Sequence, residues 1–146
     1  MVHKVCTAYV DGAAKGNPGP AGLGVVLLDG DGNTLREIAE PLGCTTNNVA
    51  EYHALIRALE EARALGCERI RIFTDSELMA RQIEGTYRVK TAHLWPLYQQ
   101  ARLLMGQFKE AMLTSVPREQ NKRADMLSKI GVSQAATQSS CNEQAV

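Results

Sequence analysis

Four acidic residues stand where the local pattern of the chain changes. Asp11 closes an alternating apolar run, Glu51 lies in the first turn of a helical period, Asp75 follows a short strand-like stretch, and Asp125 sits in the last helical segment. Taken singly, each has an ordinary explanation. Asp11 can open a turn, Glu51 and Asp75 can sit at helix N-termini where negative charge is favoured, and Asp125 can be solvated. Together they suggest more. If the strands ending at Asp11 and Asp75 are neighbours in one sheet, the two carboxylates lie side by side, and the helix bearing Glu51 starts above them. Carboxylates crowded in this way raise one another's pKa values unless a cation offsets their charge. Oxygen ligands without cysteine or histidine suit Mg²⁺ or Mn²⁺ rather than zinc. Several carboxylates with open coordination positions also suit phosphodiester chemistry at two ions about 4 Å apart. The cluster alone points to a metal-dependent nuclease.

The elements that must position these acids follow from periodicity. Lys4 to Val10 alternates and is rich in β-branched and aromatic residues, so it reads as a strand that halts at Asp11-Gly12. Gly16-Asn17-Pro18-Gly19-Pro20 turns the chain into a second strand, Gly22 to Leu28. Asp29-Gly30-Asp31-Gly32-Asn33 is a hairpin signal, and Thr34 to Leu42 returns as a third, antiparallel strand. From Ala50 to Leu65 apolar residues recur at three- and four-residue steps. This predicts a helix with Gly66 as its C-cap and Asn47 as a candidate cap at its start. Arg69 to Phe73 is a fourth strand, and Thr74 and Glu77 have the spacing of a capping box for a second helix ending near Glu84. Pro96 opens a third helix that continues to Phe108. Ala111 to Val116 is a fifth strand, and Asn121 to Ile130 a last short helix. The order βββαβααβα predicts an α/β fold, a mixed five-stranded sheet with three antiparallel strands plus parallel ones, flanked by helices. Sites in such sheets gather at the carboxyl ends of the parallel strands, where Asp11 and Asp75 are expected.

Composition bounds the rest. The 146 residues, 45% apolar and 22% charged, fit one ordinary globular domain. The domain is expected over 1–130, with 131–146 a flexible or loosely docked tail, because no apolar period continues past Gly131. Sixteen basic and sixteen acidic residues cancel, so any nucleic-acid affinity must come from local arrangement. No stretch approaches the roughly 20 apolar residues of a membrane span, and no signal-peptide pattern precedes the first strand. No membrane association, a cytoplasmic location and a monomer are therefore the expectations. Cys6, Cys44, Cys67 and Cys141 lie far apart without a C-x-x-C pair and are expected as reduced thiols. Trp95 is expected to pack.

Four blocks, in order, carry a resemblance to type 1 ribonuclease H. They are Tyr9-Val10-Asp11-Gly12-Ala13-Ala14-Lys15-Gly16-Asn17-Pro18-Gly19-Pro20, Thr45-Thr46-Asn47-Asn48-Val49-Ala50-Glu51-Tyr52, Phe73-Thr74-Asp75-Ser76, and Val116-Pro117-Arg118-Glu119-Gln120-Asn121-Lys122-Arg123-Ala124-Asp125. The likeness extends over residues 4 to 130 and fits the short form of the family. It implies a ribonuclease H-like fold and endonucleolytic hydrolysis of the RNA strand of RNA:DNA hybrids, leaving 5′-phosphate and 3′-hydroxyl ends. Two Mg²⁺ or Mn²⁺ ions would be present with substrate bound. By the same likeness Asp11 bridges both ions and Asp125 joins it at the ion that activates water. Glu51 and Asp75 hold the ion that stabilises the leaving 3′-oxygen. Asn17, Asn47 and Asn48 match minor-groove contacts, where 2′-hydroxyls distinguish RNA from DNA. Gly12 belongs to the same expected substrate-binding set, and Thr46 matches part of a pocket for a DNA-strand phosphate.

The sequence also departs from the family pattern. Cys44 and Thr91 stand at pocket positions where other members carry Arg and Asn. Only Gly85 to Leu94 separates the second helix from the Trp-containing one, so the basic protrusion of the long bacterial form is absent, and Arg81, Arg88 and Lys90 are its candidate substitutes. Pro117 to Ala124 contains no histidine, and Arg118 is the candidate to reach the scissile phosphate. Two alternatives stand beside hydrolysis of hybrids: a catalytically weak nucleic-acid-binding module of the same fold, and a related nuclease that also cuts double-stranded RNA. The intact acidic quartet favours hydrolysis.

Overall fold

The computed structural model describes residues 5–138 and 141. Strands β1 (Val5–Ala14), β2 (Gly19–Leu28) and β3 (Thr34–Thr45) form an antiparallel meander, and β4 (Arg69–Thr74) and β5 (Glu110–Ser115) continue it in parallel from β1. The strand order is β3-β2-β1-β4-β5. The β2–β3 hairpin is set locally. Asp29 Oδ1 accepts the backbone N–H groups of Asp31 and Asn33, each at 2.9 Å, and Gly32 takes a φ of 86° that a side chain would resist.

Helix α1 (Asn47–Ala64) packs on β1 and β2, and α3 (Trp95–Met105) packs on α1. Helix α2 (Glu77–Glu84) lies against β5, and α4 (Lys122–Thr137) rests on β2, β3 and β1. Strand alternation sorts the faces. Ala8, Val10, Val25, Leu27, Ile70 and Ile72 share one core with Leu55 and Leu59 of α1, whereas Gly22 and Gly24 turn their open side to α4. Burying each Leu or Ile of this core contributes about 1.5–3 kcal/mol. No helix among the described residues is long and apolar enough to cross a membrane.

The element order and the mixed five-stranded sheet agree with the sequence reading, but several boundaries move. β1 does not halt at Asp11. It continues to Ala14 along β2, with Gly12 opposite Leu23, while its parallel pairing with β4 ends at Val10 opposite Thr74. Thr46 rather than Asn47 caps α1, its Oγ1 accepting the Val49 N–H at 3.3 Å. Ser76 caps α2 and Thr74 accepts the Ser76 N–H, which replaces the expected Thr74–Glu77 capping box. Trp95 is 47% exposed and stacks on Tyr98 instead of packing in the core.

Two corrections have larger consequences. The last helix does not stop at Ile130, and the expected boundary between domain and tail falls inside α4. Gly131 packs its backbone against the Glu40 carbonyl and Gly22, and Ala135 is 1% exposed, so small residues dock this turn where no apolar period marks it. The cysteines are not free thiols. Cys6 is bonded to Cys67 and Cys44 to Cys141, partners that are 61 and 97 residues apart and that only the fold brings together.

Candidate active site

Val10 and Thr74 form the last parallel pair of β1 and β4, so the next residues, Asp11 and Asp75, emerge side by side. Gly12 then determines where the third acid sits. A Cβ on Gly12 would overlap the Ala50 carbonyl carbon and the Glu51 nitrogen, so its absence lets the first turn of α1 lie directly on β1. In that position Gly12 N–H donates to Glu51 Oε1 at 2.7 Å. One carboxylate oxygen each from Asp11, Glu51 and Asp75 lies within 4.8 Å of the others. Asp11 and Glu51 are only 4% and 5% exposed.

Asp125 stands apart from this group. It lies in the first turn of α4, and its Oδ2 is 3.0 Å from Lys129 Nζ. Its charge nevertheless reaches Asp11. Two polar residues of the same helical region also hold the site. Asn121 Nδ2 donates to the Val10 carbonyl at 2.9 Å, and Ser128 Oγ donates to Asp11 Oδ2 at 2.6 Å. Neither role was read from the sequence. The available signal was their polarity among the buried positions Ala124, Leu127 and Gly131 of one helix face.

Burial pushes the Asp11 carboxyl up to about 7. The hydrogen bond from Ser128 opposes that rise, and the charges of Asp75 and Asp125 add to it. Glu51 is also held well above the usual carboxylate range, first by burial and then by the Asp11 charge, with the Gly12 N–H working in the other direction. Asp75 Oδ2 is buried and has no hydrogen-bond partner. The nearby cationic atom Arg118 Nε is 4.0 Å away, on a side chain that is 80% exposed. Three converging carboxylates, one with an orphaned buried oxygen, fit a hard divalent cation held entirely by oxygen.

The expected substrate contacts fall in different surroundings. Asn17 Oδ1 accepts the Asn47 N–H at 3.0 Å, which ties the β1–β2 turn to the start of α1. Asn47 and Asn48 are exposed there, and Asn48 lines a cleft of about 500 Å³ together with Gln82, Tyr87, Arg88, Lys90 and Thr91. Thr46 sits at this same helix start with its hydroxyl engaged as the cap. Gly12 is buried and its N–H is committed to Glu51, so that N–H is not free to bind a substrate. Cys44 presents no thiol, being bonded to Cys141. Of the three candidate basic residues, Arg88 and Lys90 line the cleft. Arg81 instead pairs with Glu77 at 3.0 Å and lies over the Tyr87 ring. Arg118 borders a second cleft, of about 420 Å³, beside Asp75.

Comparison with known proteins matches residues 9–131 to the reverse transcriptase-like family model. The chain is 44% identical over 120 residues to ribonuclease HI of Halobacterium salinarum, a match covering 82% of this chain and 60% of that protein. It is 42% identical to the bifunctional protein Rv2228c of Mycobacterium tuberculosis over 86% of this chain and 35% of that one. The chain thus spans about a third to three fifths of these curated relatives. Among solved structures, the N-terminal RNase H domain of Rv2228c superposes with a TM-score of 0.90 at 38% identity, covering 93% of this chain and 99% of the other. LC11-RNase H1 in complex with an RNA/DNA hybrid superposes with a TM-score of 0.84 at 41% identity, covering 90% and 99%.

Proposed function

The chain belongs to the type 1 ribonuclease H family, and from that premise we propose that it hydrolyses the RNA strand of RNA:DNA hybrids, leaving 5′-phosphate and 3′-hydroxyl ends. The observation that carries this reading is the convergence of Asp11, Glu51 and Asp75, with Asp75 Oδ2 buried and without a hydrogen-bond partner. Such a cluster is costly unless a cation neutralises it. The hybrid complex of LC11-RNase H1 supports the substrate class.

In this reading Asp11, Glu51, Asp75 and Asp125 hold two divalent cations, Mg²⁺ or Mn²⁺. When bound, these ions supply an activated water and offset the charge developing on the leaving 3′-oxygen. The chain's own residues do the positioning. Gly12 N–H fixes Glu51 beside Asp11 and Asp75, while α4 packs on β1 and carries Asp125, whose charge reaches Asp11. Asn17, Asn47 and Asn48 present amides that can both donate and accept at the minor groove. Arg88 and Lys90 bring positive charge to the cleft where Thr91 and Asn48 meet, which suits the phosphates of the DNA strand. We assign Arg118 to the scissile phosphate, a reading supported by its exposed side chain 4.0 Å from Asp75.

The test is cleavage of RNA:DNA, RNA:RNA and DNA:DNA duplexes with Mg²⁺ or Mn²⁺, repeated with Asp11→Asn and Asp75→Asn. Metal-dependent cutting of the hybrid that disappears in both variants is the expected result. Binding of the hybrid without cleavage by the wild-type chain would reduce the protein to a nucleic-acid-binding module. Equal cutting of RNA:RNA would make it a broader nuclease.

A further inference from the structure

We propose that Ser128 is a positioning residue for Asp11, a hydroxyl that holds this carboxylate in the orientation needed to take up a divalent cation; the inference rests on the function proposed above. Ser128 is fully buried, and its Oγ is 2.6 Å from Asp11 Oδ2. It is also 2.8 Å from the Asp125 carbonyl oxygen. A hydroxyl carries one proton, and a carboxylate is the stronger acceptor, so the proton goes to Asp11. The Asp125 carbonyl is the alternative acceptor on the preceding turn. Ser128 Oγ therefore lies between the Asp11 carboxylate and the Asp125 backbone, residues that are 114 apart in the sequence.

This contact is built into the fold. Asp11 pairs across the sheet with Gly24, and a Cβ on Gly24 would run into the Ser128 nitrogen at 2.6 Å and the Leu127 Cβ at 2.8 Å. The bare backbone at Gly24 thus lets α4 sit on β2 close enough for a side chain as short as serine to reach Asp11. Asn121 clamps the start of the same helix to Val10, the residue before Asp11. Of the three clustered carboxylates, Glu51 is oriented by the Gly12 N–H and Asp11 by the Ser128 hydroxyl, while Asp75 keeps a buried oxygen without a hydrogen-bond partner. Outer groups that orient metal ligands typically change metal affinity or activity by about 10–100-fold when removed.

The experiment compares wild type, Ser128→Ala and Ser128→Thr. Mn²⁺ binding to the protein alone is followed by electron paramagnetic resonance, alongside hybrid-cleavage kinetics across a Mg²⁺ titration and thermal unfolding in EDTA. Ser128→Ala is expected to bind Mn²⁺ about 10-fold more weakly and to need correspondingly more Mg²⁺ for half-maximal rate. The KM for hybrid and the metal-free Tm should stay near wild type, and Ser128→Thr, which keeps the hydroxyl, should recover Mn²⁺ affinity. Wild-type Mn²⁺ affinity in Ser128→Ala would overturn the proposal, as would a loss that appears only in Tm or in KM. A wild-type chain that neither binds Mn²⁺ nor cleaves hybrid would overturn the underlying functional reading as well, which separates the two failures.

Discussion

At the scale of single residues, the acids at the end of β1 are held against their own preference. Asp11 titrates near 7 in the folded protein against 3.8 as its ordinary value. Between those two pH values the folded chain retains a proton that the unfolded chain has lost. The contribution of Asp11 to stability therefore falls as pH rises from about 4 to about 7, and Glu51 acts in the same direction. In EDTA at pH 8, Asp11→Asn is expected to raise Tm by about 3 °C or more, the shift of about 1 kcal/mol in a domain of this size. At pH 5 the gain should shrink. Thermal unfolding of both proteins at the two pH values checks this. Arg118 makes the opposite kind of prediction. Its contact with Asp75 is long and its side chain largely exposed, so it adds little to stability. Arg118→Ala should leave Tm unchanged while lowering kcat about 10-fold, equivalent to about 1.4 kcal/mol in the barrier. Unchanged turnover would remove Arg118 from the mechanism.

At the scale of elements, the site depends on how closely two helices approach the sheet. α1 touches β1 through Gly12, and α4 touches β2 through Gly22 and Gly24. The obstacle to a Cβ at Gly12 is the backbone of Ala50 and Glu51, which cannot step aside as a flexible side chain would. Gly12→Ala should therefore displace α1, cost about 1–3 kcal/mol or more, and withdraw Glu51 from Asp11 and Asp75. The expected outcome is a lower Tm together with cleavage that extra Mg²⁺ does not restore, measured by thermal unfolding and a metal titration. The helices were legible in the sequence because amphipathic spacing marks them out and Gly66, which takes a positive φ, ends the first. Helix caps were less so. Thr46 and Asn47, or Thr74 and Ser76, are adjacent residues of similar capping ability, and which one caps depends on where the preceding strand releases the chain.

At the scale of the whole molecule, Cys6–Cys67 ties the first strand to the segment between α1 and β4. Closing a loop of that separation, 61 residues, contributes about 4 kcal/mol in the chain-entropy account. Cys67→Ala is expected to lower Tm by about 10 °C, and the reduced wild-type chain, which also loses Cys44–Cys141, should show at least that loss. A Tm that ignores both changes would mean the bond does not constrain unfolding. The sequence by itself determined the order of elements, the mixed sheet, the family and the converging acids Asp11, Glu51 and Asp75, because each rests on local period or contiguous motif. Tertiary structure alone decided the cysteine pairing, the docking of α4 beyond Ile130 and the grip of Ser128 on Asp11. Those depend on which distant backbones come together, and a lone glycine or serine in a linear chain carries no mark of the surface it will meet.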